Sequence, residues 1–144
     1  QPLVTWPGTS VRRYRDQLYL LPEELQDAPQ PAQVTSDRIE LGGGLGVLSF
    51  REDAAEGLSP SLFDGRLRLE YRQGGEEFRP HGQSHTRKLK KLLQQEAIVP
   101  WMRDRIPLLF ADDRLIAVGD LWLAADAVVK NGTAVHWQDR PALH

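Results

Sequence analysis

Seven cations, Arg79, Arg87, Lys88, Lys90, Lys91, Arg103 and Arg105, fall in one window that holds only two acids, Glu96 and Asp104. Seven against two leaves the window at +5, and because the whole chain is −2 the remainder carries −7. The chemistry open to such a cluster is phosphate neutralisation. Lys and Arg on one face release condensed counterions from a nucleic-acid backbone, and the contact positions that backbone without reading its sequence. A helix N-terminus in the cluster would offer free N–H groups and a partial positive charge to one more phosphate. On an A-form RNA duplex, such a surface reads shape.

Other reactive residue types lack the spacing that chemistry needs. His81, His85, His136 and His144 show no metal-ligand pattern, and His81 and His85 fall in a Gly-containing loop rather than on a helix. Ser84 stands beside His85, but a nucleophile needs a base and an orienting group that a dipeptide does not supply. Asp112-Asp113 reads as a turn. The run Gly42-Gly43-Gly44-Leu45-Gly46 is followed by β-forming residues, with neither the Lys nor the helix start of a phosphate loop. It reads as a hairpin connection. Trp101, Trp122 and Trp137 read as core or interface anchors. No catalytic residue, metal site or cofactor site is assigned.

The element that must present the cations is RKLKKLLQQEA, Arg87 to Ala97. At 3.6 residues per turn Leu89, Leu92, Leu93 and Ala97 share one face, and Arg87, Lys88, Lys90, Lys91, Gln94 and Gln95 take the other. Thr86 or Ser84 is the expected cap. Pro100 opens a second short helical turn carrying Trp101, Arg103 and Arg105, and Pro107 stops it.

Strands surround these helices. Gln1 to Ser10 reads as an entry linker, and Val11 to Leu21 as one kinked strand with a smaller basic cluster at Arg12, Arg13 and Arg15. Glu23 to Pro31 reads as an acidic loop, and Val34 to Leu41 and Val47 to Phe50 as strands. Arg66 to Tyr71 alternates, with Leu67, Leu69 and Tyr71 inward. Gln73-Gly74-Gly75 is the expected turn that lets Glu76 to Arg79 pair back. Leu108–Ala111, Leu115–Val118 and Leu121–Ala124 read as successive strands, with Val135–Gln138 a last one. The implied class is α+β: a curved, mostly antiparallel sheet with one principal basic amphipathic helix and a short second helix. The implied division is an entry linker at 1–10 and one domain at 11–144.

Composition bounds the rest. With 144 residues, 40% of them hydrophobic, the chain can bury a real core. No cysteine is present, which excludes disulfides and thiolate metal sites and suits a reducing cytoplasm. The apolar runs are far shorter than the ~20 residues of a membrane helix. No signal peptide is evident, and a chain that starts at Gln1 reads as a fragment or a processed product.

The run RP-HGQSHT-RKLKKLLQQ followed by IVPWMRDRIPLLFADDRLIAVGDLWLA resembles the C-terminal domain of bacterial tRNA(Ile)-lysidine synthetase. The likeness is strongest from Arg79 to Ala124. VRRYRDQLYLLP resembles the stretch after that family's middle, substrate-recognition domain, whereas Glu23 to Ser61 and the tail from Ala125 lie outside it. That family uses ATP to join lysine to the wobble cytidine of an isoleucine tRNA. Its Ser-Gly-Gly-x-Asp-Ser loop is absent here, so the resemblance implies no catalytic or ATP-binding residue and no activity for this fragment alone. It implies tRNA binding at the acceptor-stem end through Arg79, Arg87, Lys88, Lys90, Lys91, Arg103 and Arg105. It also implies an α+β domain of a type shared with part of the phenylalanyl-tRNA synthetase β subunit. The partners implied are tRNA and the N-terminal catalytic and middle domains, with no membrane, in the cytoplasm. The other reading open to the basic face is an interaction module that docks on an acidic protein surface.

Overall fold

A computed structural model describes residues 29–144 and, for the backbone alone, the strands β1 (Leu3–Trp6), β2 (Thr9–Tyr14) and β3 (Gln17–Pro22). These three strands form an antiparallel sheet in the order β1-β2-β3. The segment expected as one kinked strand is therefore two, with Arg13 opposite Leu18 and Tyr14 opposite Gln17. β2 and β3 run antiparallel, so the chain reverses direction between them. The stretch read as an entry linker contains β1. Most of the expected loop Glu23–Pro31, residues 23–28, lies outside the described residues.

From residue 29 onward the strands are β4 (Ala32–Gln33), β5 (Arg38–Glu40), β6 (Val47–Leu58), β7 (Leu67–Glu70), β8 (Glu77–Phe78) and β9 (Arg87–Lys88). The helix α1 (Leu89–Gln95) follows, then β10 (Leu108–Ala111), β11 (Arg114–Val118), β12 (Trp122–Leu123) and β13 (Val128–Gln138). Short 3-10 helices occupy Pro60–Leu62, Pro100–Met102 and Ala125–Ala127. A five-stranded sheet runs β12-β11-β10-β7-β4, a three-stranded one β13-β6-β5, and β8 pairs with β9. Every ladder is antiparallel, and α1 is the single α-helix among the described residues, so the class is α+β.

Alternation explains β7: Leu67 and Leu69 are buried, with Tyr71 continuing the same parity, while Arg68 and Glu70 face outward. The expected pairing of Glu76–Arg79 back onto this strand does not occur. Both edges of β7 are already taken, by β10 and by β4, so the returning chain pairs forward, with Glu77 opposite Lys88 and Phe78 opposite Arg87. The glycine run is the hairpin connection from β5 to β6. Gly42, Gly43 and Gly44 all have positive φ, and the Leu45 N–H donates to the Gly42 carbonyl. The Trp137 indole N–H pins that hairpin to β13 by donating to the Leu45 carbonyl at 2.6 Å.

The last strand is far longer than Val135–Gln138 because it pairs with β6 along most of its length. Its register slips between Gly132 and Ala134. At that slip Gly57 is obligatory: a Cβ there would lie 2.5 Å from the Thr133 carbonyl oxygen. The core joins the two larger sheets' apolar faces to α1 and to the 98–107 loop, with Leu48, Leu58, Leu93, Met102, Ile106 and Ile116 fully enclosed.

Candidate nucleic-acid interface

The helix is shorter than its sequence pattern, and the reason bears on the site. Arg87 and Lys88 are drawn into β9 by their ladder with β8, so the helix starts at Leu89. Neither Thr86 nor Ser84 caps it: Lys88 is the N-cap, without a side-chain bond, and the Leu89 N–H donates to the Glu76 carbonyl at 2.9 Å. The hairpin thus uses one of the N–H groups expected to meet a phosphate. With seven residues, α1 carries no anion site at its N-terminus.

Leu89, Leu92 and Leu93 are buried, and Lys90, Lys91, Gln94 and Gln95 are exposed. The helix ends in a left-handed cap at Ala97, φ 57°. The Ile98 N–H reaches the Leu93 carbonyl and the Ala97 N–H the Gln94 carbonyl, the bond pair of a Schellman motif.

Lys88, Lys90, Lys91 and Gln94 line one groove of about 550 Å³ with Arg72 and the Gly74-Gly75 turn. None of the three lysines has an acidic partner among the described residues. The one acid in the groove among the described residues, Glu76, is occupied: its carboxylate accepts from the Gln73 N–H at 2.8 Å and the Gly74 N–H at 3.1 Å, holding the turn. Arg72 pairs with Asp104 at 2.8 Å, which fixes its guanidinium beside the lysines. Sequence reasoning missed Arg72. Its one signal was its place between an inward-facing strand and a Gly-Gly turn.

The remaining expected cations do not join that groove. Arg87 is half-buried and donates to the Gln95 side-chain carbonyl. Arg79 is exposed in a separate shallow cleft of about 260 Å³ with Thr86, Arg114 and Asp126. Arg103 donates to the Ile98 carbonyl at 2.9 Å, and Arg105 donates to the Trp101 carbonyl. Both are half-buried and brace the loop after the helix, bonding to backbone carbonyls where ion pairing with acids was the alternative to a phosphate role.

Tyr71, next to Arg72 in sequence, faces the core at 8% exposure. Its hydroxyl has no hydrogen-bond partner among the described residues, and burial pushes its pKa up to about 12. Among the described residues no group of three His, Asp or Glu could hold a metal ion, and no helix is long and apolar enough to cross a membrane.

Comparisons with known proteins bear on this geometry. A relative from Methylococcus capsulatus, a tRNA(Ile)-lysidine synthase, is 34% identical over 94% of this chain and 32% of its own length. A tRNA(Ile)-lysidine synthase of Xanthomonas campestris is 38% identical over 87% of the chain and 28% of its own length. One from Alkalilimnicola ehrlichii is 35% identical over 98% of the chain and 30% of its own. The chain spans about a third of the length of these relatives. A family model, the TilS substrate C-terminal domain, matches residues 67–138, from the first residue of β7 to the last of β13 and across the whole lysine groove. The chain belongs to the TilS substrate C-terminal domain family.

Proposed function

We propose that this chain is the tRNA-contacting part of a longer tRNA(Ile)-lysidine synthase and that Lys88, Lys90 and Lys91 hold RNA phosphates, at the acceptor stem. The observation that carries this is the groove: three exposed lysines without acidic partners among the described residues, beside Arg72, within the segment that matches the family. Each lysine can release a counterion from a phosphate, and Arg72 adds a planar fork held by Asp104. Arg79 and Arg87 form an outer ring of contacts, and Arg103 and Arg105 act by keeping the loop after the helix in place. A basic amphipathic helix on a curved sheet suits the shallow minor-groove face of an A-form stem.

The ligase reaction, in which ATP drives the joining of lysine to the wobble cytidine, belongs in this proposal to catalytic and middle domains outside this chain. ATP is then a cofactor of those domains and not of this one. The setting is the cytoplasm. Incubating the chain with ATP, lysine and tRNA is expected to give no lysidine, and lysidine formation would refute that division of labour.

Fluorescence anisotropy across a salt series, with an isoleucine tRNA, its bare acceptor-stem duplex and a polyacidic peptide, tests the binding role. Salt-dependent binding to both RNAs and none to the peptide is the expected result. Binding to the peptide without RNA binding would replace this reading with docking on an acidic protein surface.

A further inference from the structure

On the β6 side of the molecule a cavity of about 620 Å³ is walled by Val34, Phe50, Phe63 and Leu67. That volume is in the range of small-molecule sites. The Phe50 and Phe63 rings pack edge to face at 5.2 Å. Its rim holds two carboxylates, Asp37 and Glu52, and among the described residues no Lys or Arg lines it.

The strands explain that imbalance. The Phe50 N–H donates to the Asp37 carbonyl, which sets these two residues across from each other, and Glu52 shares the parity of Phe50. Arg51 alternates to the opposite face, and Arg38 pairs with Ser49, also on that face. Neither carboxylate has an ion-pair partner among the described residues.

A second, independent feature points into the same space. Thr133 is 5% exposed and lines the cavity where β13 slips register. Its hydroxyl has no hydrogen-bond partner among the described residues. The Thr133 oxygen is not among the sealed side-chain atoms left without a partner, so it adds a polar group to the cavity wall that a bound donor can reach.

We propose that this cavity is a binding site for a small organic cation, an alkylguanidinium group. Two carboxylates match its fork of N–H donors, the phenylalanine faces match its planar charge, and Val34 and Leu67 match a short aliphatic arm. The Thr133 hydroxyl accepts one further N–H. The same rim repels phosphate, so this site is separate from the lysine groove and does not depend on the RNA reading.

The test is a backbone-amide NMR titration of the 144-residue chain with butylguanidinium and its neutral isostere butylurea. Saturable shifts confined to Val34, Asp37, Phe50, Glu52, Phe63 and Thr133, with butylguanidinium alone, are expected. Asp37→Asn with Glu52→Gln weakens binding about tenfold, as expected for two exposed charge pairs. Phe63→Leu, which keeps an apolar wall, weakens it about threefold by removing a ring face. The spectrum away from the cavity verifies the fold of each variant. A capped peptide with one arginine identifies the source: tighter binding than butylguanidinium means a side chain presented by a polypeptide, and equal or weaker binding a free ligand. Equal shifts with butylurea, no saturable shift, unchanged affinity in the double variant, or displacement by an RNA duplex would each overturn the proposal.

Discussion

The lysine groove and the Phe50–Phe63 cavity are opposite in sign and opposite in construction. The groove draws its cations from one short segment, Lys88 to Lys91, with Arg72 added by the neighbouring turn. Its lysines stay exposed because the leucines between them take the core side of the helix. The cavity is assembled from residues 33–37, 50–52, 60–67 and 133, and its polar groups stand on apolar walls. A charged surface can be written locally, because helical periodicity alone separates its two faces. A site whose walls come from strands distant in sequence cannot be. The difference predicts distinct responses to mutation, salt and pH.

The largest contrast lies inside α1. Leu93→Ala removes an enclosed side chain and is expected to destabilise the chain by about 2–5 kcal/mol in urea unfolding. Lys91→Ala, two residues away, should change stability by no more than about 0.5 kcal/mol. Equal losses would mean that the helix does not divide into a core face and a groove face.

RNA binding separates the two sites next. Lys88→Ala with Lys91→Ala is expected to lower the slope of log K against log salt by about two units on a duplex, with the fold intact. Affinity for unrelated duplexes should fall in parallel, because phosphates carry no sequence. Asp37→Asn with Glu52→Gln should leave that slope unchanged. A slope that responds to the acidic pair would merge the two regions into one electrostatic surface.

Tyr71 distinguishes the core beneath the groove from the groove itself. Its folded pKa, about 12, is above the ordinary value of 10.0. Between those pH values the unfolded chain has released the tyrosine proton and the folded chain has kept it. Stability is therefore fully present below pH 10 and falls as pH rises toward 12, by roughly 1–2 kcal/mol from this residue. Tyr71→Phe should remove that part of the alkaline fall, read from denaturant midpoints at pH 9 and pH 11.5. An alkaline fall unchanged by the substitution would place the ring in water.

The smallest expected effect is at the helix end. Ala97 sits in the left-handed region at φ 57°, where a Cβ is unfavourable. Ala97→Gly is expected to stabilise the chain by about 0.5–1 kcal/mol in thermal melts, without altering RNA affinity. A loss of stability would mean that the cap is not left-handed in solution.

Much of this was legible in the chain itself. Strict alternation marked Leu67, Leu69 and Tyr71 as inward, and period 3.6 marked Leu89, Leu92 and Leu93, because burial of one face is a local pattern. Asp112-Asp113 and the glycine run read correctly as connections, since turn chemistry is also local. The RKLKKLLQQ segment and the VPWMRDR stretch sufficed to indicate the family, and they lie within residues 67–138.

Pairing was decided by the tertiary structure. Whether Glu77–Phe78 returns to β7 or goes forward to β9 depends on which sheet edges are free, and that shortened the helix and moved Arg87 out of the groove. Arg103 and Arg105 look like any other cations in a sequence, yet in the fold they donate to carbonyls that the loop leaves open. The acid-rimmed cavity exists because β13 runs along β6 and puts Thr133 on the same cavity wall as Phe50 and Asp37. Short-range patterns fixed which residues face inward. Long-range hydrogen bonding chose their neighbours, because a strand's alternation says which side is apolar and nothing about which strand lies beside it.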